Sequence, residues 1–233
     1  MPSFATLVEN TVYINLAHRE DRRDQVVAEL AKLGIQGTRF NAVKTANGAI
    51  GCTISHLKCL EQAAAANWPY VFVCEDDILF LNPELVKTNV DQFCAAAGDN
   101  WDVLILGGNA VPPYQSVGNF AVRVVNCQTT TGYIVRRPFY QLLIKNIREG
   151  LNQFMRNPEN KREFAIDIYW KRLQAAHRWY MIVPPTVVQR EGFSDVESRD
   201  TNYAALMLDM RKEWLFKQQQ PQPQHNGLIF SSK

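Results

Sequence analysis

Excess charge of one sign, paired cysteines and long apolar runs are all missing from this 233-residue chain. Its 25 basic residues against 23 acidic ones leave a formal charge of +2, so the bulk composition calls for no nucleic acid or other polyanion. No stretch approaches the roughly 18 apolar residues that a membrane span needs. The opening MPSFATLVEN has neither a basic lead nor an apolar run, which sets the expectation of a cytoplasmic chain without a secretory signal. The five cysteines (Cys52, Cys59, Cys74, Cys94 and Cys127) are odd in number, lack CxxC spacing and sit among apolar neighbours. They read as reduced core thiols. Neither a P-loop motif nor GxGxxG occurs, so ATPase and dinucleotide readings lack their phosphate cradle. No internal repeat is visible.

What is present is the making of a sizeable core: 46% hydrophobic residues against 21% charged. Short apolar runs alternate with helical stripes through the first half. TVYINL, GTRFNAV, VFVC and WDVLILGG read as strands, the last stopping at its paired glycines. Between them, Val26, Val27, Leu30 and Leu33, then Ile54, Leu57, Leu60 and Ala64, then Leu85, Val86, Val90, Phe93, Cys94 and Ala97 recur at helical spacing. Gly34 ends the first helix, and Asn82-Pro83 starts the third. This alternation predicts an α/β fold with a mostly parallel sheet and helices on both faces. The second half reads differently. VPPYQSVG is a loop, NFAVRVVN and TTTGYIVRR are strands of an antiparallel addition, and PFYQLLIKNI is a helix. REFAIDIYWKRLQAAHR and TNYAALMLDMRKEWLF read as one helix each, and QQQPQPQH as a disordered tail.

The chemistry-bearing feature is Glu75-Asp76-Asp77, directly after the apolar strand VFVC. Ligands of parallel α/β sheets bind at the carboxyl ends of strands. Continued alternation would aim Glu75 and Asp77 one way and Asp76 the other. Like charges so close need a cation between them, and a hard divalent ion with oxygen ligands is the economical choice. A helix cap with two solvated acids is the plainer alternative, and nucleases, phosphatases and sugar transferases all place acids this way.

Three ordered segments, YINLAHREDRR, GAIGCTISHLKCL and PYVFVCEDDI, resemble the motifs of glycosyltransferase family 25, the lipooligosaccharide- and procollagen-galactosyltransferase-like enzymes. GYIVRR and FSD fit more loosely. The resemblance implies a GT-A-type fold, a Rossmann-like mostly parallel sheet flanked by helices with a smaller acceptor-side region. Residues 1–110 would be the nucleotide-sugar half, 111–215 the acceptor half and 216–233 the tail. It implies an inverting, metal-dependent transferase using Mn2+ or Mg2+. A UDP-sugar, most often UDP-galactose, would be the donor, and a glycan, a lipooligosaccharide or a hydroxylated protein the acceptor. The acids become a counterpart of a DxD motif, with Asp77 and Glu75 on the metal and Glu75 and Asp76 also toward the donor.

Asn15 and Arg19 are then donor-binding candidates, with Arg22 and Arg23 beyond them, since arginine suits bidentate phosphate contact. So are Gly51, Ser55 and His56 at the start of a helix. Inversion needs a base. Asp167, between Ile166 and Ile168, is the first candidate, and Asp195 the second, or a further metal ligand. His177 reads as structural, and Trp170, Tyr169, Trp179 and Tyr180 as core more than as a sugar platform. Gly107, Gly108 and Asn109 would pass under the donor sugar or simply turn the chain, and Gln189 and Gly192 would shape a loop. A catalytically weak UDP-sugar-binding protein of the same fold and a metal phosphohydrolase are the competing readings.

Overall fold

The protein is described by a computed structural model covering residues 2–217. The chain runs α1 (Phe4–Val8), β1 (Thr11–Asn15), α2 (Glu20–Lys32), β2 (Thr38–Asn41), α3 (Gly48–Ala65), β3 (Tyr70–Glu75), β4 (Ile78–Phe80) and α4 (Pro83–Ala97). It continues through β5 (Val103–Ala110), β6 (Gln115–Val117), β7 (Ala121–Arg123), β8 (Cys127–Arg136) and α5 (Tyr140–Arg156). Then come three short helices, α6 (Lys161–Phe164), α7 (Ile166–Tyr169) and α8 (Lys171–Ala176), followed by β9 (Trp179–Ile182), β10 (Val187–Gln189), β11 (Gly192–Ser194) and β12 (Arg199–Thr201). Two last helices, α9 (Ala204–Leu208) and α10 (Glu213–Lys217), end the described chain. The expected tail from residue 216 therefore loses its first two positions to α10, and the rest of it lies outside the described residues.

Eight strands form the central sheet in the order β2-β1-β3-β8-β5-β9-β7-β6. β1 pairs in parallel with both β2 and β3, and β5 with β9. β8 runs antiparallel between β3 and β5, so of the two strands expected as an antiparallel addition TTTGYIVRR lies in the middle of the sheet, while NFAVRVVN supplies β7 beside the edge strand β6. Side chains alternate across this sheet with period two. Val71, Val73, Val103, Ile105, Tyr133 and Val135 face the helices α3 and α5 through Leu57, Leu60, Leu143 and Ile147. Phe72, Cys74, Leu104, Leu106 and Ile134 face the other way, onto Val26 and Leu30 of α2 and Val86, Val90 and Phe93 of α4.

Local chemistry sets the ends of the long helices. Asn47 Oδ1 accepts from the backbone amides of Ala49 and Ile50 at the start of α3, and Asn82 Oδ1 from that of Leu85 ahead of α4. Gly34, at φ +74, ends α2 in the left-handed conformation.

Four expectations need correction. β5 does not stop at Gly107 and Gly108 but runs on to Ala110. A Cβ on Gly107 would lie 3.0 Å from the Val187 carbonyl oxygen, and one on Gly108 2.6 Å from Cys127 Sγ. Both glycines admit neighbouring chain into the core, and the β5–β8 register shifts there. The segment after residue 160 is not one helix, because Ala165 adopts ψ 145 and separates α6 from α7. The last helix breaks at Asp209, whose Oδ1 accepts from the amides of Arg211 and Lys212 and starts a new turn. The VPPYQSVG loop contributes the edge strand β6.

Candidate active site

The carboxylates stand where the sheet predicts, at the carboxyl end of β3, but their geometry differs from a continued strand. Asp76 and Asp77 form the tight turn between β3 and β4, so alternation ends at Glu75. Arg22 of α2 consequently reaches both aspartates, Asp76 Oδ1 at 2.8 Å and Asp77 Oδ2 at 3.4 Å. Asp76 is fully engaged, because its Oδ2 also accepts from Asn15 Nδ2 at 2.8 Å. Burial raises the Asp76 carboxyl above its usual range although Arg22 and Asn15 pull it down.

Asp77 is the exposed nerve of the cluster. Its Oδ1 is buried and has no hydrogen-bond partner among the described residues. Burial, then the Glu75 charge, push its carboxyl up to about 7 against the pull of Arg22. Its backbone carbonyl accepts from the Arg190 amide at 2.7 Å. Arg190 in turn donates to Glu29 Oε1 at 2.8 Å, and Glu29 Oε2 accepts from the Phe80 amide at 3.1 Å. This buried glutamate of α2 thus pins the far strand of the acidic turn to the loop after β10.

Glu75 turns to the opposite face of the sheet. Its Oε1 accepts from Thr130 Oγ1 and meets His56 Nε2 at 3.2 Å, while its Oε2 accepts from Gln189 Nε2 at 3.3 Å. Burial pushes this carboxyl up, but His56, Thr130 and Arg22 outweigh it and hold it below the usual range. Asp167 approaches from α7, where its Oδ2 accepts from the Thr129 amide at 3.0 Å. Burial first, and then the Glu75 charge, raise its carboxyl.

The remaining sequence candidates divide into two groups. Asn15 is buried at the end of β1, where it holds Asp76, the Arg19 carbonyl and the Arg39 guanidinium. Arg19 forms a 2.6 Å pair with Asp195 and a second pair with Asp21. Asp195 is therefore a partner of Arg19, with His18 at 3.8 Å, and not a free base. Gly51 and Ser55 do not open toward a ligand. A Cβ on Gly51 would meet the Val43 carbonyl oxygen at 2.4 Å, and Ser55 Oγ accepts from the Val43 amide while donating to the Gly51 carbonyl, so both lock α3 to the segment after β2.

His56 is wholly buried in mid-helix, stacked on Tyr133, whose hydroxyl lies 2.9 Å from Nδ1. Arg23 pairs with Asp24 at the surface. Trp170 and Trp179 are fully buried core side chains packed edge to face, while Tyr180, packed on Phe93, and His177, against Phe139, are half-buried. Tyr169 is buried under the Arg172 guanidinium.

Beside Asp77 lies a cavity of about 210 Å3 lined by Arg19, Arg22, Arg190, Gly192 and Phe193 among others. Arg190, Thr130, Tyr133 and Glu29 were not legible as site residues. Each is an unremarkable residue of its own segment until β8 and β10 are placed beside the acidic turn. Gln189 and Gly192, expected only to shape a loop, respectively hold Glu75 and line the cavity.

The carboxylate cluster thus stands at a parallel strand end, beside an arginine-lined cavity, on an α/β sheet whose parallel half is joined to a mixed half through an inserted antiparallel strand. Residues 45–95 match the family model described as "Glycosyltransferase family 25 (LPS biosynthesis protein)", so the resemblance read from the motifs holds. The chain is 24% identical to the procollagen lysyl hydroxylase and glycosyltransferase of Acanthamoeba polyphaga mimivirus over an alignment covering 46% of this chain and 16% of that protein. It therefore spans only a small part of that relative. Among solved structures, it is similar to a glycosyltransferase involved in glycosylation of the major capsid of PBCV-1 (TM-score 0.49, 11% identity, covering 77% of this chain and 92% of that one). It is also similar to a Drosophila galactosyltransferase 7 mutant in complex with manganese, UDP-Gal and xylobiose (TM-score 0.40, 14% identity, covering 86% and 79%). No helix among the described residues is long and apolar enough to cross a membrane.

Proposed function

We propose that this chain is an inverting, metal-dependent glycosyltransferase that moves a hexose, galactose in the leading case, from a UDP-sugar to a hydroxyl of a glycan, a lipooligosaccharide or a hydroxylated protein. The observation that carries the reading is Asp77: a buried carboxylate with one orphaned oxygen and a raised affinity for protons, beside a cavity lined by three arginines. An uncompensated buried carboxylate is costly unless a cation completes it. The orphaned oxygen fits a hard divalent ion, with Asp77 as first ligand and Glu75, although it turns to the other face of the sheet, as the assisting acid. Asp76 is already neutralised by Arg22 and Asn15, so its part is to hold the arginine in place.

When bound, the ion supplies Lewis-acid stabilisation of the diphosphate leaving group. The protein's own residues do the rest. Arg19, Arg22 and Arg190 present guanidinium groups to the diphosphate. At about 210 Å3 the cavity suits that portion of the donor, and is smaller than the roughly 300–1,000 Å3 usual for whole small-ligand sites. Asp195 and Asp21 orient Arg19. Asp167, raised by burial and fixed by the Thr129 amide, takes the proton from the acceptor hydroxyl as it attacks.

Titration of UDP with and without Mn2+, followed by assays of sugar transfer and release from a panel of UDP-hexoses, tests this. Mn2+ should tighten UDP binding, and Asp77→Ala should remove that gain in a folded chain. Asp167→Asn should keep donor binding and lower transfer on the order of a hundredfold or more. UDP affinity unchanged in Asp77→Ala would remove the metal assignment. Release of inorganic phosphate from simple phosphoesters would favour a phosphohydrolase.

A further inference from the structure

The GCTISH segment of α3 carries a second constellation, of which the transferase reading uses only Glu75. Cys52 and His56 stand four residues apart on one face of α3, the spacing that lets a helix offer two ligands to one ion. The end of β3 brings Glu75 to the same point. Cys52 Sγ lies 3.8 Å and His56 Nε2 3.2 Å from the same atom, Glu75 Oε1, and the three ligand atoms all fall within 4.8 Å of one another. Around a tetrahedral zinc ion, with Zn–S about 2.3 Å and Zn–N or Zn–O about 2.0–2.1 Å, the ligand edges are about 3.3–3.6 Å. The cluster is thus within a few tenths of an ångström of two of those edges.

The surroundings agree with coordination. The other ring nitrogen of His56 faces the Tyr133 hydroxyl at 2.9 Å, and with Nδ1–H donating to that oxygen the Nε2 lone pair points at the cluster. His56 is wholly buried and stacked on Tyr133, so its ring is held in that orientation. Thr130 Oγ1 supports Glu75 from β8. The site is only partly closed, because Cys52 and Glu75 are both half-buried.

We propose that Cys52, His56 and Glu75 form a binding site for a borderline-soft transition metal of the zinc class, distinct from the hard-ion position at Asp77. Thiolate, imidazole and one carboxylate select such an ion over magnesium or manganese, and three protein ligands leave a fourth position open. Binding releases the Cys52 proton to solvent, so occupancy falls as the medium becomes more acidic. Cys52 and His56 carry the site without the transferase assignment, and Glu75 is the one residue that the two positions share.

Cobalt(II) replaces zinc in such sites and reports its ligands by absorption. The full chain, stripped with chelator and kept reduced, is titrated with Co2+. One equivalent should give the intense visible bands of a tetrahedral centre and a thiolate-to-cobalt charge-transfer band, all displaced by one equivalent of Zn2+ and not by a large excess of Mn2+. Cys52→Ser should lose the charge-transfer band, and His56→Gln the tetrahedral visible bands, each in a chain whose circular dichroism matches the parent. Should His56→Gln fail to fold, Cys52→Ser alone decides the question. Asp77→Asn should keep every band while losing Mn2+-dependent UDP binding, which separates failure of this site from failure of the transferase reading. Absence of the bands at stoichiometric Co2+, or a charge-transfer band that survives in Cys52→Ser, would overturn the proposal.

Discussion

At the scale of single residues, Asp77 sets function against stability. Its carboxyl lies near 7 in the folded chain and near 4 in an unfolded one. The folded state therefore binds the extra proton between those values, and stability falls as pH rises from about 4 to about 7. Asp77→Asn removes the charge that causes the loss. It should raise the melting temperature at pH 8 and change it little at pH 4, with a gain on the order of 2 kcal/mol at the higher pH. Thermal denaturation at the two pH values measures this, and an equal shift at both would show that the charge is not the cause. The acidic triplet itself was visible in the sequence, since few buried strands end in three carboxylates. Its division of labour was not. That Asp76 is spent on Arg22 and Asn15 while Asp77 keeps a free oxygen depends on a tight turn that only the pairing of β4 with β10 defines.

Individual elements were legible wherever the signal was local. The stripes of α2, α3 and α4 and the Asn82 cap of α4 sit where hydrophobic period and capping chemistry put them, whereas the Asn47 cap of α3 was not read. The errors fall where a neighbour overrides local pattern. The apolar spacing of Ile166, Tyr169, Trp170 and Leu173 continues smoothly through the segment, yet the backbone is extended at Ala165. The break before α7 accompanies the seating of Asp167 on the Thr129 amide of β8, a partner far away in sequence.

Gly51 illustrates the same point. It looked like a glycine for a ligand, but α3 needs it to pass the Val43 carbonyl. Gly51→Ala would place a methyl 2.4 Å from that backbone oxygen, so the helix or the loop must shift. A loss of about 1–3 kcal/mol in urea unfolding is expected. A neutral effect would mean that the approach is looser than the structure has it.

Across the whole molecule, segments far apart in sequence meet through a few buried polar anchors as well as through the sheet. Glu29 is the clearest. From α2 it holds the Phe80 amide of β4 and the Arg190 side chain of the loop after β10, while Arg190 holds the Asp77 carbonyl. Glu29→Gln leaves that guanidinium without its counter-charge. It should cost about 1–2 kcal/mol of stability, a value discounted for the solvent-facing side of Arg190, and weaken UDP binding in parallel. Denaturant unfolding and UDP titration on the same variant check both, and a change in stability alone would uncouple the anchor from the cavity.

The position of β8 bears on how the chain is made. β3 and β5 leave the ribosome well before the strand that will lie between them, so β3 waits with one side unpaired and β5 with both until residue 136 has emerged, and β5 keeps its other side open until β9 follows. Until then the nascent sheet carries two sticky rims in its middle, where wrong pairing or capture by another chain is easiest. A pause in translating the stretch from Ala110 to Arg136 would prolong that exposure.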